Sequence, residues 1–106
     1  MGLTRRFRET VGARIEREPR FARALLDEAL TLFLNGEPEA AKLLLRDLIN
    51  ATLGFEELAR RTAKPSKSLH RMLSASGNPT MASLSAILVA LKKSLHVEIR
   101  AVVKTA

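Results

Sequence analysis

The chain has 106 residues, 46% apolar and 27% charged, and its 18 Lys and Arg against 11 Asp and Glu give a net charge of +7. This length predicts one small globular domain, too short to surround a deep substrate cleft, which excludes a large monomeric enzyme. The absence of cysteine excludes disulfide scaffolds, cysteine-ligated zinc or iron–sulfur sites and thiol nucleophiles. No signal peptide or membrane span is apparent, so we expect a cytoplasmic protein without a membrane partner.

The N-terminal half has the periodicity of amphipathic helices. Apolar residues spaced by three and four predict helices over residues 4–17 and 19–34. Pro19 suits the first turn of the second of these helices. Pro38 begins a third helix, which we expect Gly54 to close.

After these three helices the predicted segments become shorter. Two short helices, over residues 55–62 and 66–73, are separated by a break at residues 63–65. A loop over residues 74–79 follows, and its Ser, Gly, Asn and Pro are typical of turns. Thr80 is then the expected N-cap of a last helix.

The C-terminal residues 95–106 change to a period of two. Leu95, Val97 and Ile99 alternate with polar residues, which predicts a half-buried strand. A single strand needs a partner for its backbone groups, and a second copy across a two-fold axis is the simplest one. We therefore predict an all-α fold of five to six helices with a short C-terminal β-strand, paired through these three residues in a homodimer.

The basic surplus is concentrated in the two short helices and the loop after them. Residues 55–80 carry five basic residues against two acidic ones, a net charge of +3, and no acid lies between Leu58 and Met72. A basic run of this kind is either a solvated helix face or a surface for a polyanion. The pattern around it favours the second interpretation.

Two short helices joined by a tight break have the dimensions of a helix-turn-helix. In the first helix, we expect Leu58 to face the core and Ala59 to allow the second helix to cross closely. The second helix has an apolar face opposite a polar, basic one. The apolar face comprises Leu69, Met72 and Leu73, and the polar face comprises Ser66, Lys67, His70 and Arg71. A helix of this kind fits a DNA major groove, which is roughly 12 Å wide.

Residues 57–74 read ELARRTAKPSKSLHRMLS, and Gly77-Asn78-Pro79 follows. This sequence resembles the Xre or lambda-repressor-like helix-turn-helix superfamily, and within it the addiction-module antidote proteins, the antitoxins encoded beside RelE/ParE-like toxins. The resemblance covers residues 37–98. It implies a cytoplasmic transcriptional regulator that binds a palindromic DNA operator as a dimer, represses its own promoter and neutralises a toxin. The corresponding domains are an N-terminal helical extension (1–36), a DNA-binding domain (37–94) and a dimerisation strand (95–106).

Carried onto matching positions, the resemblance implies two groups of DNA contacts. The candidate base contacts are Ser66, Lys67, His70 and Arg71, of which Arg71 is the strongest because Arg pairs with guanine O6 and N7. The candidate phosphate contacts are Arg60, Arg61, Lys64, Ser68, Ser74, Asn78 and Thr80. Phosphate contacts position a protein without reading sequence, and they make its affinity fall steeply with salt.

The chain departs from the family pattern between the two short helices. Ala63 stands where Gly is frequent, and it accepts a positive φ only at a steric cost, so we expect a different turn geometry. Lys64 replaces a β-branched apolar residue, and its stem could cover the core while its ammonium reaches a phosphate. Pro65 sets φ for a helix start but has no capping oxygen.

Two alternatives to the antitoxin stay open: a stand-alone Xre-type repressor without a toxin, and a helical protein-interaction module that docks a partner through the stripes of residues 4–17 and 19–34. An enzyme is not expected, because no nucleophile elbow or triad is present. No cofactor or metal is expected either, since His70 has no carboxylate within a turn on its face.

Overall fold

The computed structural model describes residues 12–15 and 17–106, and within them the chain is all-helical and contains no β-strand. Residues 12–15 and 17 are helical, whereas the rest of the predicted first helix lies outside the described residues. The later helices are α1 (Pro19–Leu34), α2 (Pro38–Ala51), α3 (Gly54–Thr62), α4 (Ser66–Met72) and α5 (Met81–Leu95). The all-α prediction is thus confirmed for the described part of the chain.

Proline and glycine set the limits of the first helices. Both α1 and α2 have proline at their first position, where its missing N–H costs no hydrogen bond. Gly36, with φ +85°, redirects the chain between them. The expectation that Gly54 closes α2 is wrong, because α2 ends at Ala51 and Gly54, with φ +79°, is the first residue of α3.

Helices α1 to α5 all contribute to one apolar core, which also includes Ile15. α1 packs along α2, α3 lies against both α2 and α5, and α4 packs on α3. The apolar stripe predicted on residues 19–34 packs here: its Leu26 and Ala29 are buried, and its other members are partly buried against the core, namely Phe21, Leu25, Leu30 and Phe33. The buried apolar cluster comprises Ile15, Ala22, Leu26, Ala29, Leu45, Leu48, Ile49, Phe55, Leu58, Leu69, Leu73, Ile87, Ala90 and Leu91. The residues of the predicted N-terminal extension that are described here therefore share their core with the predicted DNA-binding domain.

Side-chain and backbone caps limit the last helix. The predicted N-cap is confirmed, since Thr80 Oγ1 accepts a hydrogen bond of 3.0 Å from the Ser83 N–H. At the other end, His96 takes a left-handed conformation with φ 55°, and its N–H bonds the Lys92 and Lys93 carbonyls. The Val97 N–H donates to the Lys92 carbonyl at 3.0 Å. These bonds form a Schellman-type helix end, which turns the chain sharply after Leu95.

The strand predicted over residues 95–106 is not formed within the chain. Leu95 belongs to α5, and residues 97–106 have no regular secondary structure. The reason is that the described residues offer no other strand, so a strand here would have no backbone partner. Leu95 and Val97 instead pack, partly buried, against the core. Of the three predicted dimerisation residues, only Ile99 is exposed, together with Val102 and Val103 further along.

Candidate nucleic-acid interface

The connection between α3 and α4 is only three residues long and begins with a left-handed residue. Ala63 has φ 54° and ψ 37°, the conformation that a glycine would adopt at low cost. Its N–H and that of Lys64 both donate to the Ala59 carbonyl, the latter at 3.2 Å. The expectation of a different turn geometry is therefore wrong, because the hydrogen bonds at the end of α3 hold alanine in the left-handed region.

Helix α4 begins as the sequence predicts. Pro65 is extended, with φ −61° and ψ 139°, and it makes no side-chain cap. Its carbonyl accepts the first hydrogen bond of the helix from the Leu69 N–H at 3.1 Å. The seven residues of α4 follow this short connection, and the helix packs against α3.

The two faces of α4 are divided as predicted. Leu69 and Leu73 are buried, and Met72 packs, partly buried, against the same cluster. Three of the four candidate base contacts are exposed on the other side, and the fourth is half-buried. The exposed residues are Lys67, His70 and Arg71, and the half-buried one is Ser66. The outward surface of α4 is therefore polar and basic.

One candidate base contact also supports the structure of the site. The His70 ring stacks on the buried Phe55 of α3, with ring centroids 3.9 Å apart and planes inclined by 21°. One face of the imidazole is thus covered by α3, which leaves only the ring edge and the other face for a ligand. This contact lies between helices and was not predicted from the sequence.

Two of the candidate phosphate contacts are paired within α3. Glu57 accepts hydrogen bonds from Arg60 Nε at 3.0 Å and from Arg61 Nε at 2.8 Å, and Arg60 Nη2 makes a further contact with it. The hydrogen bonds from Arg60 and then Arg61 lower the pKa of Glu57 to about 2, while the same carboxylate raises the pKa of Arg60. The spacing of three and four residues between Glu57 and these arginines is the one at which side chains on a helix surface form such pairs.

The loop after α4 is bonded to α4 and to α2. Ser74 Oγ donates to the Arg71 carbonyl at 2.7 Å. Lys42 of α2 is buried, and its Nζ donates to the Ala75 carbonyl at 3.2 Å and to the Gly77 carbonyl at 2.6 Å. No local pattern in the sequence could have indicated Lys42, because its partners are more than thirty residues away.

A shallow groove of about 450 Å³ lies between α4 and this loop. Its walls include three candidate DNA contacts, two of them from α4 and one from the loop. The residues around the groove are Ser68, Arg71, Met72, Ser76, Gly77 and Asn78, none of which is acidic. Ser76 is a surface hydroxyl that sequence reasoning did not single out.

The remaining candidate phosphate contacts do not line this groove. Lys64 is half-buried in the α3–α4 connection, and Ser74 is half-buried at the start of the loop. Thr80 is exposed, but its hydroxyl is engaged in capping α5. The structure thus brings together Ser68, Arg71 and Asn78, whereas Arg60 and Arg61 lie on α3 beside Glu57.

In residues 12–15 and 17–106, no three His, Cys, Asp or Glu side chains come together as metal ligands would. Over the same residues, no helix has the length and apolar character needed to cross a membrane. The chain matches no family model, no curated protein and no solved structure.

Proposed function

We propose that the protein is a sequence-specific DNA-binding transcriptional regulator, with α3 and α4 as a helix-turn-helix and α4 in the major groove. The outward face of α4 carries this proposal, because Lys67 and Arg71 are exposed there while Leu69 and Leu73 anchor the opposite face in the core. Arg and Lys on a helix that fits the DNA major groove are the residue types that form hydrogen bonds with guanine O6 and N7.

The distribution of charge supports double-stranded DNA as the ligand. No acidic residue occurs from Leu58 to Val97, whereas this stretch carries seven Lys and Arg. Along the chain, the candidate phosphate donors come both before α4, on α3 and its connection, and after it, on the loop. Stacking of single strands is a weaker alternative, since the chain has no Trp or Tyr and Phe55 is buried under His70.

A homodimer on a palindromic operator is part of the proposal. Two α4 helices related by a two-fold axis would enter successive major grooves roughly 34 Å apart. The exposed residues 98–106, with Ile99, Val102 and Val103, are the segment we expect to pair with its copy. Pairing in the dimer would supply the backbone partner that the single chain lacks.

The antitoxin role rests on the sequence resemblance alone. A RelE/ParE-like gene beside the gene for this chain would support an autorepressing antitoxin, and its absence would favour a stand-alone repressor. The remaining alternative, an interaction module that does not bind DNA, relied on free apolar stripes. In α1 that stripe packs on the core, since Leu26 and Ala29 are buried and its other members are partly buried.

The decisive experiment measures DNA binding by variants of α4. Wild type is used to select duplexes from a randomised library, and fluorescence anisotropy then gives the Kd of the selected duplex over a range of KCl concentrations. We expect Lys67→Ala combined with Arg71→Ala to weaken binding by about 100-fold or more, because each base-reading contact contributes about 1–3 kcal/mol. The slope of log K against log salt also becomes shallower.

Arg23→Ala is the matched control, because Arg23 is an exposed arginine on α1. It removes one positive charge away from α3 and α4, so we expect a small change in affinity. Wild type that selects no duplex, or an Arg23 variant as defective as the double variant, would contradict the proposal. A wild-type Kd that does not depend on salt would contradict it as well.

A further inference from the structure

Lys42 is a lysine that the fold buries, with only 5% of its surface exposed. Removing an ammonium from water is costly unless hydrogen bonds replace its hydration. Here two carbonyls do so, those of Ala75 and Gly77, and both belong to the loop between α4 and α5. An apolar side chain on α2 could fill this space without the desolvation cost, but it could not hold the loop.

The opposite side of the loop is fixed against α4. A Cβ at Gly77 would lie 2.5 Å from the Met72 carbonyl oxygen and closer still to that of Arg71, so only glycine fits there without displacing backbone. The Gly77 N–H also donates to the Ser74 carbonyl at 3.0 Å. Lys42 thus ties the loop to α2, and the close approach at Gly77 packs it against the end of α4.

In that position the loop completes the groove beside α4. Ser76 and Asn78 are exposed on the loop side, and Ser68 and Arg71 lie on the α4 side. Hydroxyl, amide and guanidinium groups are the donors that proteins use to contact DNA phosphates. No carboxylate lines this groove, and Glu39 of α2 lines a second cavity, which also borders Ser76 and Asn78. A phosphodiester group of a bound duplex is the ligand that suits this donor set.

We propose that Lys42 is a positioning residue, which holds the loop so that Ser76 and Asn78 contact one backbone phosphate of the DNA beside Arg71. Lys42 itself does not contact the DNA. The inference rests on the proposed DNA binding, and it adds Ser76 as a phosphate contact and Lys42 as the residue that places it.

The test is a scan of single phosphates in the duplex selected by wild type. Each phosphate in turn is replaced by an uncharged methylphosphonate, and the Kd is measured for wild type, Lys42→Met and Ser76→Ala. For wild type we expect several phosphates whose neutralisation weakens binding by about tenfold. In Lys42→Met one of these penalties falls below about twofold. In Ser76→Ala, which leaves Asn78 in place, the penalty at the same phosphate falls to about threefold, while the penalties at the other phosphates persist in both variants.

This readout separates positioning from a general loss of stability. A Lys42 variant that is merely less stable would bind more weakly at every phosphate, with an unchanged profile, and that result would overturn the proposal. Lys92→Met is the control, because Lys92 is also a half-buried lysine but lies in the last turn of α5, whereas the loop precedes the first turn of that helix. It should leave the profile unchanged.

Two further outcomes are distinguishable. A wild-type protein that binds no duplex refutes the proposed function, whereas a wild-type protein that binds, with a Ser76→Ala profile identical to its own, refutes only this inference. Circular dichroism shows whether Lys42→Met folds. If Lys42→Met does not fold, Lys42→Gln, whose side chain is shorter but still carries a donor, is used in its place. Because Ser76 is exposed, we expect Ser76→Ala to fold. Its profile therefore tests the phosphate contact whether or not Lys42→Met folds.

Discussion

At the scale of single residues, Glu57 is paired with two arginines that are candidate contacts to DNA phosphates. Its carboxylate pairs with Arg60 and Arg61 on the surface of α3, as a phosphate oxygen would. DNA binding through either arginine must therefore displace or share this carboxylate. Surface pairs of this kind add little to stability, so their larger effect is on the availability of the guanidinium groups.

We expect Glu57→Gln to strengthen binding to an unselected duplex by roughly tenfold, because it frees two guanidinium groups for phosphates. The slope of log K against log salt becomes steeper as these contacts form. Glu56→Gln is the matched control, since Glu56 is the exposed neighbour of Glu57 and removes the same charge. Anisotropy titrations with a random-sequence duplex measure both. An equal gain in affinity for the two variants would contradict a competition between Glu57 and DNA phosphates for the arginines.

The pKa of Glu57 sets the pH range in which its carboxylate competes with DNA phosphates for the two arginines. Because the arginines lower it from 4.5 to about 2, the ion pairs are complete above the ordinary carboxyl range and are lost only as the pH falls through about 2. Glu57 is therefore charged throughout neutral pH, and the advantage of Glu57→Gln should not vary between pH 6 and 8, a range well above both pKa values.

At the scale of elements, the α3–α4 connection contains a strained residue. Ala63 has φ 54°, which costs an alanine roughly 1–2 kcal/mol. We expect Ala63→Gly to raise the free energy of unfolding by about 0.5–1 kcal/mol, since part of the relief is offset by the entropy of glycine in the unfolded chain. Urea unfolding followed by circular dichroism measures the change.

Ala24→Gly, at an exposed site in the middle of α1, tests whether the effect comes from φ. A glycine there should lower the free energy of unfolding by about 1 kcal/mol, because it only adds unfolded-state entropy. Substitutions that change stability in the same direction would show that Ala63 is not strained by its left-handed conformation.

Much of the helical organisation could be predicted from local signals. Pro19 and Pro38 indicated two helix starts, Thr80 a third, and the spacing of Leu69 and Leu73 the buried face of α4. These features depend on a few neighbouring residues, which is why the sequence alone contains them. The stacking of His70 on another helix and the bonds of Lys42 depend on tertiary packing, so no local pattern could predict them.

The C-terminal error has a different origin. Leu95 and Val97 alternate as strand residues do, but in the structure they lie on either side of a helix end. A Schellman-type end brings apolar residues on both sides of the left-handed residue toward the core. Over so few residues, an alternation of apolar and polar side chains is therefore as consistent with a capped helix end as with a strand.

At the scale of the whole molecule, we predict a homodimer that depends on residues 98–106. Light scattering should give twice the chain mass for the full chain and the chain mass for a protein ending at Val97. Val97 is retained because its N–H caps α5 and its side chain packs on the core. Cutting before Val97 would disturb the fold and confuse the result.

Substitutions in the full chain provide the control for the truncation. Ile99→Asp with Val103→Asp places charges on the apolar side of the proposed pair and should also give a monomer, whereas Arg100→Ala should stay dimeric. A dimer that survives both the truncation and the double substitution would place the interface on the helices instead.

The bonds of Lys42 also bear on the order of folding. They join residues 33 and 35 positions apart, and closing a long segment costs more entropy than forming a contact between sequence neighbours. The α1–α2 hairpin needs only a short connection, so we expect it to assemble early and the loop to become ordered later, once α3 and α4 are in place. A nascent or partly unfolded chain would thus hold much of its helix and still lack a formed groove.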